Sequence, residues 1–394
     1  MPKQLEGTLM IKEAAYWISF AHMSGWRRSR LNEIIIRFHH DKEISIEDFF
    51  QLTEAEWISD YDLKGKEIID LRAAREEVAN NSFLAETLDN EGYEILPIIS
   101  PEYSVVLKEN LKKEYAPALL YIKGNKQILK EKSIAIVGSR NSNEISLLFA
   151  DNIARLASRE YKVVVSGFAK GVDKQALDSA LKYKGQSIIV LPQGILTFGT
   201  GYKSYYRQIV DGDLLVVSTF FPKVPWRTEL AMARNVIIYG LASEIYVAES
   251  SETGGTWAGV TDGLRKKRTI YIRFPDLNEK NANRVLIQKG AIPVDMEGNR
   301  IIADYPRDSE MRLPGVAEEA EETLEQKVRT LLEKKPMSIR DLMAQTGTEL
   351  TQKKFSTMLE KHDFIEVARK GNTRLYKLKG TGEPKIANQS ALEF

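Results

Sequence analysis

Short apolar runs alternate with amphipathic segments through the middle of the chain. The runs 133–137, 162–165 and 187–191 are rich in β-branched residues, and small-residue turns follow them. Segment 145–159 carries apolar residues at helical spacing, and a second helix is predicted over 174–184. Strand, turn and helix repeated at this spacing predict an α/β fold with a doubly wound, mainly parallel sheet of the Rossmann type.

The first 85 residues show helical periodicity instead. The predicted helices are 11–23, 27–39, 46–52, 54–63 and 64–79. Residues 1–85 are therefore expected to form a small helical module, of the helix-hairpin-helix or sterile-alpha-motif type, with Gly25 at its first turn. Arg27, Arg28 and Arg30 lie beside that turn and would contact a DNA backbone or a docking partner. In the alternative, which we favour, these arginines are solvent-exposed at the start of a helix, and the module serves only to pack against the rest of the protein.

The last hundred residues indicate a second folding unit. Residues 301–322 are polar, with prolines and an acidic run, and are predicted to be a linker. Three helices and two strands are then predicted: 323–333, 338–345, 351–361, 364–368 and 374–378. This order is typical of a winged helix over 323–380, and the tail 381–394 is expected to be disordered.

Cations occupy the two parts of a winged helix that can reach duplex DNA. Lys353 and Lys354 lie on the predicted recognition helix, and Arg369, Lys370 and Arg374 lie on the predicted wing. Duplex DNA contact is one interpretation. A protein-docking winged helix is the other, and the lysines do not decide between them.

Composition restricts the possible chemistry. The 394 residues exceed what one core usually organises, which predicts two or three domains. The absence of cysteine excludes disulfides and thiolate metal sites, and with four histidines no metal site, cofactor or catalytic constellation is expected. Without an apolar run of spanning length, a cytosolic chain with no membrane partner is expected. Net charge is +1, so any basic surface for nucleic acid must be local.

Two small-residue turns follow the first two core strands. One is Gly138-Ser139-Arg140, and the other runs from Ser166 to Gly171 and includes Gly167 and Lys170. Parallel strands place such turns at the carboxyl edge of the sheet, where backbone N–H groups and cations bind phosphates. For either turn alone, the alternative is that its glycine only allows a tight strand-to-helix turn. The two turns together favour an anion site.

Later turns extend this picture. Another helix is expected to begin at Gly254, Gly255 and Thr256, and the N–H groups of its first turn could bind an anion. Segment 195–207 mixes glycines with aromatics but lacks the lysine of a P-loop. In the loop 219–229, Lys223 lies among aromatic side chains, as single-strand binding requires, although a buried hydrophobic plug fits the phenylalanines equally well.

Several motifs together resemble the DNA-processing protein A family, DprA/Smf. They are Ile134 to Arg140, Val164 to Asp173, Ile188 to Gly194, Met232 to Ala242, Val247 to Ser250, Thr253 to Thr256 and Asn283 to Ala291. The resemblance spans about residues 90 to 295 in the family's order, and it places the Rossmann-like core at 86–300.

The resemblance implies a binding function. Such a protein binds single-stranded DNA without sequence preference, forms a homodimer and helps to load a RecA-type recombinase, as in natural transformation. It also implies that Arg234 and Asn235 contact the DNA groove. Val236 stands where the family has a second arginine, which weakens that site.

Two other functions use the same core. A defence or regulatory sensor of DNA or of a nucleotide is one. The other is a nucleotide phosphoribohydrolase of the lonely-guy type, whose glycine turn resembles the one at 254–256 and which would depend on Asp262 or Glu249.

Overall fold

The computed structural model describes residues 13–301, 324–348, 350–360, 362, 364–370 and 373–379. The chain divides into two compact units, Met1–Tyr305 and Pro306–Phe394. Residues 302–322 of the predicted linker and the predicted tail 381–394 lie outside the described residues. Within the described ranges, no helix combines the length and apolar character needed to cross a bilayer.

A nine-stranded sheet forms the centre of the first unit. The strands are β1 (Glu94–Pro97), β2 (Leu119–Gly124), β3 (Ser133–Val137), β4 (Val163–Ser166), β5 (Ser187–Val190), β6 (Leu214–Ser218), β7 (Glu244–Val247), β8 (Ile270–Arg273) and β9 (Ile292–Val294). Their order across the sheet is β1-β2-β6-β5-β4-β3-β7-β8-β9. The seven strands from β6 to β9 run parallel, and β1 and β2 are antiparallel at one edge. The predicted doubly wound, mainly parallel sheet is confirmed.

Helices cover both faces of this sheet, and its central strands are therefore buried on both sides. They are α7 (Val105–Tyr115), α8 (Glu144–Arg159), α9 (Val172–Lys182), α10 (Gly199–Ser204), α11 (Tyr206–Val210), α12 (Thr228–Leu241), α13 (Gly254–Arg265) and α14 (Asn283–Gln288). Alternate side chains of β3 face opposite layers: Ile134 and Ile136 pack with α8 and α9, whereas Ala135 and Val137 pack with α12 and α13.

The order of the strands creates a crevice beside β3. From β3 the chain builds the sheet outwards to β6, and α12 then returns it to β7 on the opposite side of β3. Ligands of doubly wound sheets bind at the carboxyl ends of the strands where this reversal occurs. The turns after β3 and β7 therefore border the crevice.

The N-terminal helices pack around an aromatic core. They are α1 (13–21 in the described residues), α2 (Arg28–Ile36), α3 (Ile46–Gln51), α4 (Glu54–Tyr61), α5 (Lys66–Glu76) and α6 (Val78–Asn90). The ring centroids of Phe38 and Phe49 are 5.1 Å apart, and Trp57 packs beyond them. This cluster continues into Leu119 and Leu214 of the sheet. Helix α6, which the periodicity did not show, crosses the predicted boundary at residue 85.

Two of the three N-terminal arginines make contacts within the fold, which favours the packing-module interpretation over DNA contact. The Arg28 guanidinium donates to the Tyr115 carbonyl over 2.9 Å. Arg30 pairs with the Glu67 carboxylate at 2.9 Å and also donates to backbone carbonyls. These contacts join α2 to α7 and α5.

The second unit has three helices and a three-stranded antiparallel sheet. Its elements are α15 (Leu324–Lys334), β10 (Met337–Ser338), α16 (Ile339–Thr346), α17 (Gln352–Leu359), β11 (Ile365–Lys370) and β12 (Thr373–Leu378), with strand order β10-β12-β11. Ser338 caps α16 as predicted, by accepting from the Asp341 N–H. The winged-helix assignment itself stays a prediction. Lys353, Lys354, Arg369 and Arg374 are exposed, and the Lys370 side chain lies outside the described residues.

His22 should make the stability of the first unit depend on pH. Its ring contacts the Tyr121 hydroxyl at 2.9 Å, and burial, aided by Arg28, lowers its pKa to about 4. Since the unfolded-state pKa is near 6.5, the folded state binds fewer protons, so its stability is complete above pH 6.5 and falls towards pH 4. The contribution of His22 to this loss is expected to be about 3 kcal/mol.

Urea unfolding of the wild type and of His22→Gln between pH 7 and pH 4 measures this effect. The variant should lose correspondingly less stability on acidification, because the buried ring whose protonation opposes folding is absent. Parallel pH profiles for wild type and His22→Gln would contradict the assignment.

Candidate nucleic-acid interface

The two predicted small-residue turns pack directly against each other. After β3, the Ser139 hydroxyl accepts from the Asn141 N–H at 3.1 Å, and Arg140 is exposed. Gly171 has φ +87°, and a Cβ there would come within 2.6 Å of the Ser139 carbonyl oxygen. A Cβ on Gly138 would meet Val172 at the same distance. Glycine is thus required at both positions for the turns to approach.

Gly167, in the turn after β4, lies against a buried arginine. A Cβ on Gly167 would overlap the Arg234 guanidinium and reach within 2.6 Å of an Asp173 carboxylate oxygen. Lys170, further along the turn, is exposed. The Ser166 hydroxyl is fully buried and donates to the Asp173 carbonyl at 2.8 Å, so this predicted site residue positions the turn and does not face a ligand.

Arg234 lies inside α12, which begins at Thr228. The residue is only 3% exposed, and its Nη1 donates to the Val190 carbonyl at 3.0 Å. Among the described residues, its Nε has no hydrogen-bond partner. Burial lowers the pKa of Arg234, and the neighbouring Asp173 opposes this shift.

Asp173 is the acid beside this arginine. Burial raises the pKa of its carboxyl, against the opposite effects of Arg234 and of the Ala169 and Gly167 N–H groups. The junction of the two turns therefore holds one buried cation and, beside it, one carboxyl whose pKa is raised by burial. Sequence reasoning assigned no role to Asp173, although it ends the second predicted motif.

A cavity of about 430 Å³, which we call the aromatic groove, opens over the second turn. Arg140, Gly167, Lys170 and Arg234 line it together with three aromatic side chains: Phe168, Phe198 and Trp226. The Phe168 and Phe198 rings meet edge to face at 5.1 Å, and Trp226 is 50% exposed. Cations and accessible ring surface therefore border the same space.

Different residues of the loop 219–229 fit the two interpretations left open by the sequence, single-strand binding and a buried hydrophobic plug. Trp226 lines the groove, whereas Phe221 packs on the N-terminal core, with its ring 5.4 Å from that of His22. Segment 195–207 contains the short helix α10 and the start of α11, although it includes Gly199 and Gly201. A Cβ on Gly201 would overlap the Phe198 ring, so packing of this ring overrides helix propensity here.

A second cavity of about 310 Å³, the switch-point cavity, lies between the turns after β3 and β7. It brings together most of the remaining predicted residues: Gly138, Ser139, Arg140, Arg234, Asn235, Gly254, Gly255 and Thr256. The Thr256 hydroxyl donates to the Gly138 carbonyl at 3.1 Å and joins the two turns. A Cβ on Gly255 would lie 2.7 Å from the Asn235 amide nitrogen.

Other predicted residues lie elsewhere. Lys223 is exposed and, in the described part of the chain, lines neither cavity. Asp262 pairs with Arg265 at 3.0 Å and lines a different cavity, and Glu249 accepts from the Ser146 hydroxyl at 2.8 Å. Neither acid lines the switch-point cavity. Across the described ranges, no cluster of three His, Asp or Glu side chains is placed to hold a metal ion.

These features define a Rossmann-like core whose glycine turns and arginines form a candidate anion-binding edge. A family model described as "DNA recombination-mediator protein A" matches residues 94–306, which is more than half of the chain. The chain therefore belongs to the DNA recombination-mediator protein A family, and the resemblance to DprA/Smf is confirmed.

Individual relatives agree with this assignment. DNA processing protein DprA of Streptococcus pneumoniae strain R6 is 31% identical over 193 residues, which cover 48% of this chain and 67% of the relative. DprA of Bacillus subtilis strain 168 is 29% identical over 208 residues, covering 51% and 68%. The crystal structure of Streptococcus pneumoniae DprA shares the fold, with a TM-score of 0.53 and 24% identity over 71% of this chain and 94% of that one.

The close approach of Gly167 to Arg234 can be tested by its effect on stability. Gly167→Ala places a methyl group where the buried guanidinium lies, so the free energy of unfolding should fall by about 1–3 kcal/mol. Gly199→Ala is the matched control, because a Cβ there meets nothing within 4 Å. Urea denaturation should show the control unchanged or up to about 1 kcal/mol more stable. Equal stability of both variants would contradict the packing.

Proposed function

We propose that the aromatic groove binds single-stranded DNA without sequence preference. The observation that supports this is the placement of exposed Arg140 and Lys170 beside the accessible ring surface of Trp226. Lysine and arginine neutralise phosphates, and stacking contributes roughly 1–3 kcal/mol per base. Both kinds of interaction are available to every nucleotide, because neither reads a base edge.

Charge at the groove is local, since the chain as a whole carries only +1. Arg140 and Lys170 stand at the surface, and Arg234 lies beneath them. A cation buried beneath a surface is screened less by salt than an exposed one. The groove therefore combines two exposed cations with a buried one that salt screens less.

The proposed activity is binding rather than turnover. The family's description as a recombination mediator supports a role in DNA recombination. We further propose that the chain acts as a homodimer and hands bound strands to a RecA-type recombinase, as in natural transformation. A lonely-guy-type hydrolase is not favoured, because Asp262 is paired with Arg265 and Lys266 away from the switch-point cavity.

Lysine and arginine substitutions in the groove test single-strand binding. Fluorescence anisotropy of a labelled oligo(dT) should give salt-sensitive binding to the wild type. Lys170→Ala or Arg140→Ala should weaken it and lower the slope of log K against log salt by about 0.7 for each phosphate that is no longer neutralised. Lys223→Ala, at an exposed lysine outside both cavities, should bind like the wild type. No binding by a folded wild type would refute the proposal.

For the second unit we propose contact with duplex DNA through the exposed face of α17. Lys353 and Lys354 are both exposed there, whereas Arg374 already pairs with Glu360 at 3.6 Å. The double variant Lys353→Ala, Lys354→Ala should weaken binding of a duplex oligonucleotide and leave oligo(dT) binding unchanged. Unchanged duplex affinity in the double variant would favour protein docking instead.

A further inference from the structure

The switch-point cavity has the position and size of a site for one small ligand. It lies between the carboxyl ends of β3 and β7, where the direction of sheet building reverses. Its volume of about 310 Å³ is at the lower end of ligand pockets, which run from roughly 300 to 1,000 Å³. That volume suits a single nucleotide rather than a length of strand.

One end of the cavity is built for an anion. The first turn of α13, a helix of 12 residues, opens onto it through Gly254, Gly255 and Thr256. Within the described residues, the Thr253 side chain makes no capping hydrogen bond to this turn. In contrast, Asn143 caps α8 by accepting from the Ser146 N–H at 2.8 Å. The helix dipole and the N–H groups of α13 thus favour negative charge at this end.

Two buried polar side chains that line the cavity are left without a partner. Arg234 is 3% exposed and its Nε makes no hydrogen bond, and Tyr239 is 8% exposed and its hydroxyl makes none, in the part of the chain that the structure describes. Buried polar groups in folded proteins are almost always hydrogen-bonded. Both atoms are closed to solvent, so they lie behind the cavity wall. An anion in the cavity would stabilise the Arg234 cation through its charge, and a small shift of the wall would bring it to the unpaired Nε.

The charges that face the cavity suit a phosphate monoester. Arg140 and Arg234 line it, and the one opposing carboxyl is Asp173, among the described lining residues. Burial raises the pKa of Asp173, and the Gly167 and Ala169 N–H groups satisfy its carboxyl. A terminal phosphate carries more negative charge than a phosphodiester and is substituted on one side only, so it can end in a cavity of one-nucleotide size.

We propose that the switch-point cavity binds a nucleoside 5′-phosphate. The ligand is either a free mononucleotide or the 5′-terminal nucleotide of a strand whose following residues lie in the adjoining aromatic groove. The two cavities adjoin, because Arg140, Ala169 and Arg234 line both of them. A strand could therefore pass from the aromatic groove into the switch-point cavity. The assignment goes beyond single-strand binding, because it concerns a separate cavity and a different phosphate.

Thr228 offers a test that leaves the groove intact. It is exposed at the first position of α12 and lines the switch-point cavity but not the aromatic groove. A carboxylate there is compatible with the helix start and repels an anion in the cavity. Isothermal titration calorimetry with dTMP should show binding to the wild type, at least tenfold weaker binding to Thr228→Glu, and unchanged binding to Thr228→Gln. Thymidine, which lacks the phosphate, should not bind.

Oligonucleotides distinguish the two sources. If the ligand is a strand end, dTMP alone gives no heat, but 5′-phosphorylated oligo(dT) binds about tenfold more tightly than 5′-hydroxyl oligo(dT), and Thr228→Glu abolishes that difference. Absence of any phosphate preference in both assays, or equal behaviour of Thr228→Glu and Thr228→Gln, would overturn the proposal.

One further variant separates this proposal from the groove. Lys170→Ala should weaken oligo(dT) but not dTMP, because Lys170 lines the groove alone. Failure of the wild type to bind oligo(dT) while it still binds dTMP would therefore count against the groove and not against this cavity.

Discussion

The guanidinium of Arg234, held against the backbone of Gly167, is the contact on which the anion-binding edge depends. It donates to the end of β5, lies beside the Asp173 carboxyl and forms part of the wall of both cavities. Burying a cation is costly unless the surroundings compensate it. Here a carbonyl, an adjacent acid and the absence of a side chain at residue 167 provide that compensation. The same arrangement leaves one guanidinium nitrogen without a partner among the described residues.

The two cavities suit different parts of a nucleic acid. The aromatic groove offers ring faces and exposed cations, which suit bases and phosphodiesters along a strand. The switch-point cavity offers a helix N-terminus, small residues and buried polar groups, which suit one phosphate and its nucleoside. Because the turns after β3 and β4 pack against each other, the two spaces share Arg140 and Arg234.

The N-terminal helices support this edge from outside the sheet. Their aromatic core is continuous with β2 and β6, and Phe221, five residues before Trp226, is held by that core. Arg28 and Arg30 make contacts with helices of the same unit. The helical segment therefore fixes one flank of the aromatic groove.

The sequence by itself determined the order of strands and helices, the doubly wound sheet and the family, because apolar periodicity and glycine turns are local signals. It also placed Gly138 to Arg140 and Gly254 to Thr256 at one edge, since parallel strands end on the same side. Only the tertiary structure decided that Ser166 is a buried positioning residue, that Arg234 lies within a helix and that Lys223 lies away from both cavities. Those outcomes depend on which side chains meet across distant segments, such as Arg234 with Gly167 and Asp173, and no local pattern encodes such contacts.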